Sequence, residues 1–189
     1  MELIDFQDPN LYTALLAIAL NPIYWNLAAQ LEYRTKLISK FFTKERVACS
    51  ALAVTILLLN YVRTNAFHTA VSSQPKMEAD SALVSLVCYG LVVLGQVFVI
   101  TSFYKLGWYG TFLGDYFGIF DLDGPVTSFP FNVTSDPMYW GSTITYLGYA
   151  ILERSFAGLI LTGWLALVYS LAIALEGPML RQLYSKKSN

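Results

Sequence analysis

The sequence predicts an all-α protein, a polytopic helical bundle of about four membrane spans with an interfacial or re-entrant helix at its N-terminus. Three observations carry that expectation. Hydrophobic residues make up 56% of the 189 and charged residues only 13%, about half the charge of an ordinary soluble domain. The apolar residues are gathered into long runs rather than spread in alternation. Inside hydrocarbon every backbone donor and acceptor must be satisfied within the protein, which leaves helices and closed barrels, and runs of this length suit helices.

The elements follow in chain order. Residues 11–31 are apolar but interrupted at Asn21-Pro22. Proline removes a backbone donor and disfavours helix in the residue before it, so this segment is expected to lie in the interface or to enter and bend. Tyr24 and Trp25 suit the water–lipid boundary. Residues 32–46 carry five basic and two acidic residues. Residues 47–62 form an apolar run somewhat short of the ~20 needed to cross. Residues 63–81 are polar and read as a connecting loop. Residues 82–104 hold no charge and are the clearest span, with Gly90 and Gly95 inside it. Small residues there allow close approach to the backbone. Residues 105–138 are rich in glycine, aromatic residues and acids. Residues 139–152 are moderately apolar, and 156–175 form another span. The chain is taken as one domain, 1–189.

Orientation poses a conflict. Basic segment 32–46 favours the cytoplasm, and the last four residues, KKSN, resemble a dilysine retrieval signal of the endoplasmic reticulum, which is read in the cytosol. The two lie on one side only if residues 139–152 also cross.

Several functions are excluded or disfavoured. A net charge of −1 offers no footprint for nucleic acid. One histidine, His68, and two cysteines, Cys49 and Cys88, both in apolar runs, supply no metal cluster, so no metal is expected. His68 alone in a loop cannot build a nucleophilic triad. Asn132-Val133-Thr134 is a formal glycosylation sequon of low specificity.

Polar groups at membrane depth or its edge are costly and therefore functional candidates. Three clusters stand out: Gly114-Asp115-Tyr116-Phe117-Gly118, Asp136-Pro137-Met138-Tyr139-Trp140-Gly141-Ser142, and Glu176-Gly177-Pro178 at the end of the last apolar run. A carboxylate at a helix C-terminus opposes the helix dipole, which favours a cationic partner for Glu176. Asp115 serves equally well as a helix-capping residue or as a proton acceptor. Tyr109, Tyr116, Tyr139 and Trp140 fit either interfacial anchoring or contact with a cationic headgroup.

The strings NPIYWN (21–26), VTILLLN (54–60), SQPKME (73–78), YGTFLGDYFGI (109–119), VTSFPFN (126–132) and DPMYWGSTITYLGYAI (136–151) resemble the phosphatidylethanolamine N-methyltransferase family, over residues 9–184. The resemblance implies stepwise methyl transfer from S-adenosyl-L-methionine to the amine of a phospholipid in the bilayer. It also implies an endoplasmic-reticulum location, with mitochondrial membrane as a second site. It further implies cofactor contacts at Val93-Leu94-Gly95, where the family has Gly-x-Gly, and at Glu176-Gly177, where it has Glu-Glu. Asp115 and Glu176 become the catalytic candidates, and Tyr109, Tyr116, Tyr139 and Trp140 the headgroup candidates. Val93 and Gly177 depart from the family pattern, which leaves a weakened relative that binds without turnover as the alternative.

Overall fold

The computed structural model describes residues 3–78, 81–119 and 126–187, with side chains as far as Pro178. Six helices follow one another: α1 (Pro9–Thr35), α2 (Leu37–Phe42), α3 (Glu45–Ser73), α4 (Ala82–Thr111), α5 (Pro137–Leu152) and α6 (Phe156–Lys187), with a 3-10 turn at Gly114–Phe117 between α4 and α5. No strand occurs among the described residues. Helices α1, α3, α4 and α6 are long and apolar enough to cross a membrane; the sequence predicts the last three as spans, but not α1.

Helix α1 differs from expectation. It runs unbroken through Pro22 for 27 residues and is itself one of the four spans. Its buried residues include Leu11, Ala14, Ile18, Asn21, Pro22, Trp25, Ala29 and Glu32, a stripe at helical spacing that faces the bundle. That continuous buried face holds the helix through the hydrogen bond the proline removes. Two polar residues at and after the break donate hydrogen bonds: Asn21 Nδ2 to Asn60 Oδ1 at 2.9 Å and Asn26 Nδ2 to Pro22 O at 3.1 Å, while Asn21 Oδ1 stays unpaired.

Helix α3 corrects a second expectation. The supposed loop from residue 63 is helical as far as Ser73. Arg63, Phe67, Ala70 and Val71 extend the buried stripe begun by Leu52, Ala53 and Ile56, so packing overrides the local polarity. Helix α4 likewise passes its expected end and runs to Thr111, with a break in helical geometry at Gly107, whose φ of 65° needs a glycine.

The ends of the helices define two faces of the bundle. At one, which we call the clamp end, α1 begins, α3 ends and the α5–α6 corner turns. Gln74 bonds both to the backbone of Asp5 (2.9 and 2.8 Å) and to Asp8 Oδ2 (3.2 Å). Ser73 Oγ donates to the same Asp8 oxygen at 2.5 Å, and Met77 N donates to Arg154 O at 2.7 Å. At the opposite end, α1 turns into α2 through Lys36, which has left-handed geometry (φ 54°). There Glu32, fully buried, accepts from Ile38 N, Ser39 N and Ser39 Oγ, and Lys36 Nζ reaches Tyr116 O at 2.7 Å.

Helix α5 brings the start of α6 back to the clamp end. It runs antiparallel to α4: Gly141 lies against Gly95, and Gly148 against Cys88. A 16-residue helix is about 24 Å long, enough to return the chain to the clamp end. Helix α6 therefore starts at the clamp end and runs towards the end of the bundle that carries the basic segment 32–46. Residues Ser188 and Asn189 of the KKSN tail lie outside the described residues. Cys49 and Cys88 are buried and form no disulfide, as expected of small apolar residues.

Candidate active site

A cavity of about 690 Å³ opens in the half of the bundle away from the clamp, well within the range of small-molecule sites. Its floor comes from α1, α3, α5 and α6 through Trp25, Asn60, Arg63, Tyr139, Ser142, Tyr169 and Glu176. One flank is apolar: Ile56 and Leu57 of α3 with Val99, Ile100, Phe103 and Leu106 of α4. Leu57, Ile100 and Phe103 are 44%, 63% and 41% exposed, so this flank is also the outer surface of the spanning helices. Helices α3 and α4 make little contact with each other, so packing between them does not seal this flank. The far wall is polar, from Thr111, Asp115 and Tyr116 together with Ser135 and Asp136 at the mouth of α5.

Glu176 is the best-held polar group. It is 9% exposed and sits on α6 opposite the middle of α1. Trp25 Nε1 donates to its Oε1 at 2.6 Å, and Asn26 Nδ2 does so at 3.1 Å. Tyr139 OH lies between the two oxygens at 3.2 and 3.1 Å. Oε2 has only that one described contact, which leaves a carboxylate edge with unused acceptor capacity. Above it, the rings of Trp25, Tyr139 and Tyr169 form a continuous wall, with centroids 4.9–6.4 Å apart.

Arg63 is the opposite charge in the same cavity. It is 5% exposed. Its Nη1 donates to Tyr169 OH, and its guanidinium lies 5.5 and 5.6 Å from the ring centroids of Tyr146 and Tyr169. Its Nε has no partner. Thr111 Oγ1 and Tyr116 OH are likewise buried without partners. Three of the four orphaned side-chain atoms found among the described residues therefore belong to residues lining one cavity. Native interiors leave few such atoms unpaired, and each calls for an explanation.

The candidates read from sequence divide cleanly. Asp115, Tyr116, Tyr139 and Glu176 line the cavity. Gly177 follows Glu176 but is not in the wall. Tyr109 packs under Arg46, 5.1 Å from the guanidinium, and Trp140 faces outward, 42% exposed. Val93 and Leu94 are exposed on the outer face of α4. Gly95 is buried, but a Cβ there would meet Gly141 O and Thr145 Oγ1 at 2.4 Å, so its surroundings are the α4–α5 packing seam. The cavity instead borders α4 one turn later, at Val99 and Ile100. His68 meets Tyr149 edge to face, ring centroids 4.1 Å apart, and does not line the cavity.

Sequence reasoning missed Trp25, Asn26, Arg63, Thr111 and Tyr169. For Arg63 a signal existed: an arginine directly after an apolar run is costly if the helix continues. The supposed loop hid it.

These features define a class: a multi-pass helical membrane protein with a largely apolar cavity that carries a few charged and polar groups. A family model described as phospholipid methyltransferase matches residues 83–187. The chain is 45% identical to human phosphatidylethanolamine N-methyltransferase, over 98% of this chain and 94% of that protein. It is 46% identical to a phosphatidyl-N-methylethanolamine N-methyltransferase of Neurospora crassa, over 97% and 86%. The enzyme of that name from Saccharomyces cerevisiae is 37% identical, over 97% and 89%. No solved structure matches. The chain belongs to the phospholipid methyltransferase family, and it is an enzyme that transfers methyl groups and requires a methyl donor.

Proposed function

We propose that the cavity binds S-adenosyl-L-methionine and the headgroup of phosphatidylethanolamine, and methylates that amine and its mono- and dimethyl forms towards phosphatidylcholine. The observation that carries the reading is a cavity with an apolar flank at Leu57, Ile100 and Phe103, and with Glu176, Asp115 and three orphaned polar atoms on its other walls. The names of the relatives from human, Neurospora crassa and yeast support the substrate, and they disfavour a relative that binds without turnover.

The residues present suit the methyl donor. Thr111 Oγ1 and Tyr116 OH offer unused polar atoms, and the open edge of Glu176 suits a cationic group. When bound, S-adenosyl-L-methionine supplies a methyl group activated on a positively charged sulfur. Glu176, fixed by Trp25, Asn26 and Tyr139, would hold a cationic group of the donor. Holding both reacting partners in line contributes about 7–11 kcal/mol in well-oriented reactions. Asp115 accepts the proton that an ammonium headgroup must lose before its nitrogen can attack. Trp25, Tyr139 and Tyr169 face the nitrogen as methyl groups accumulate on it, each aromatic face attracting such cations by about 0.5–2 kcal/mol.

The proposed location is the endoplasmic-reticulum membrane, with the α6 tail and the basic 32–46 segment in the cytosol. In that orientation Asn132, at the same end, stays unglycosylated. A mobility shift on glycosidase treatment would overturn this orientation.

Methyl incorporation from labelled S-adenosyl-L-methionine into phosphatidylethanolamine by the purified protein tests the reading. Glu176→Ala and Asp115→Ala, each folded, are expected to lose about 100-fold or more in rate, the usual scale for removing a preorganised charged group. Full activity in both variants would refute the roles of Glu176 and Asp115. Absence of incorporation by the unaltered protein would refute the function.

A further inference from the structure

Arg63 calls for an explanation that methyl transfer to an amine does not supply. It is a buried cation in a spanning helix. It takes no part in the Lys36–Glu32 or the Lys76–Glu153 ion pair. Its contacts are a hydroxyl and two ring faces, and its Nε is orphaned at the cavity wall. An uncompensated charge at membrane depth is among the costliest features a fold can carry, and arginines there pair with anions. Guanidinium is also the side chain best matched to phosphate, through two parallel N–H donors.

The position is informative. Arg63 is joined to Glu176 through the aromatic wall: its guanidinium stands over Tyr169, whose ring lies 4.9 Å from that of Tyr139, which in turn donates to Glu176. A fixed cation and a fixed anion thus stand on one wall, separated by two aromatic rings. The cation lies beside the apolar flank, since Asn60, Leu57 and Ile56 precede it on the same helix and line the same cavity.

We propose that Arg63 is an anion subsite that binds the phosphodiester of the lipid substrate, seating the phosphate on one side of the cavity while Asp115 of the same cavity faces the amine. This rests on the function proposed above and adds to it the group that seats the lipid. The donor's carboxylate is the other anion of suitable chemistry. The lipid is favoured because Arg63 adjoins the apolar flank formed by α3 and α4.

The test reads binding without turnover, so it stands apart from the methylation assay. Full-length protein in detergent is titrated with labelled phosphatidylethanolamine in the absence of donor, and separately with labelled S-adenosyl-L-methionine in the absence of lipid. Arg63→Gln is expected to weaken lipid binding roughly 10- to 100-fold, the range for one charge-assisted contact, and to leave donor binding within about twofold. Arg63→Lys, which keeps the charge, is expected to recover part of the loss. With the unaltered protein, glycerophosphoethanolamine is expected to displace the lipid at concentrations where ethanolamine does not. This arm holds even if a variant fails to fold. Loss of donor binding with lipid binding intact would assign the subsite to the carboxylate and overturn the proposal. Equal displacement by ethanolamine, or unchanged binding in a folded Arg63→Gln protein, would overturn it as well.

Discussion

The two ends of the bundle treat polar groups in opposite ways. At the clamp end Asp8, Ser73 and Gln74 satisfy one another and the start of α1, with Asp8 accepting from Asn10 N at 2.9 Å as an N-cap. In the cavity Arg63, Thr111 and Tyr116 keep unpaired atoms in the interior. Asp8 and Gln74 are buried, as are Arg63 and Tyr116 in the cavity, and buried polar groups are costly if left unpaired. One set is satisfied by the fold itself. The other is not. Under the proposed function the difference separates polar residues that hold the helices together from those that would meet a substrate, although in sequence both look like stray polar residues beside apolar runs.

The contrast can be broken by mutation, and the largest effect is expected at Glu176. Changing it to Gln keeps the size and the contacts with Trp25 and Asn26 but removes the charge. Methyl transfer is expected to fall about 100-fold, roughly 2.7 kcal/mol, with little change in melting temperature. A fall in stability equal to that in activity would move Glu176 into the structural set. Gly95→Val should do the reverse. Its side chain would collide with Gly141 O and Thr145 Oγ1, and overpacking of this kind costs about 1–3 kcal/mol. The expected result is a lower melting temperature in detergent, with the donor affinity of the folded fraction retained. Lost affinity at unchanged stability would instead restore Gly95 as a cofactor contact.

A smaller effect is expected at the clamp. Asp8→Ala removes a helix cap worth about 0.5–2 kcal/mol, so thermal unfolding should come earlier while the Michaelis constants stay within about twofold. The smallest is a pH dependence at the same residue. The Ser73 hydroxyl, followed by the Asn10 backbone N–H, holds the Asp8 carboxyl below the ordinary carboxylate value. A group depressed in the folded state stabilises above its unfolded value, so this contribution is complete at neutral pH. It is lost as pH falls below about 4 and through the folded value. Asp8→Asn should flatten that acid limb in a stability–pH profile, and an unchanged limb would show that Asp8 is not the group responsible.

Much of this was legible in the residues. Long apolar runs gave the bundle, because hydrocarbon permits few alternatives. Unusual strings such as GTFLGDYFGI and PMYWGS marked the stretches that supply Asp115, Tyr116 and Tyr139 to the cavity. The bend at Asn21-Pro22 and the loop from Arg63 were misread for a common reason: local preference was weighed without the buried stripe that continues through both places. Gly95 was legible as a site of close approach, but sequence cannot say whether the approaching group is a cofactor or the backbone of another helix.

The sequence by itself determined that this chain lives in lipid as helices, and that acids and aromatic residues gather where those helices end, since both follow from composition and spacing along the chain. Only the tertiary structure decided that Trp25, Arg63, Tyr139, Tyr169 and Glu176 share one wall, and that Gly95 seats α5. Such meetings depend on which faces of distant helices are buried against one another, and no local pattern of residues encodes that.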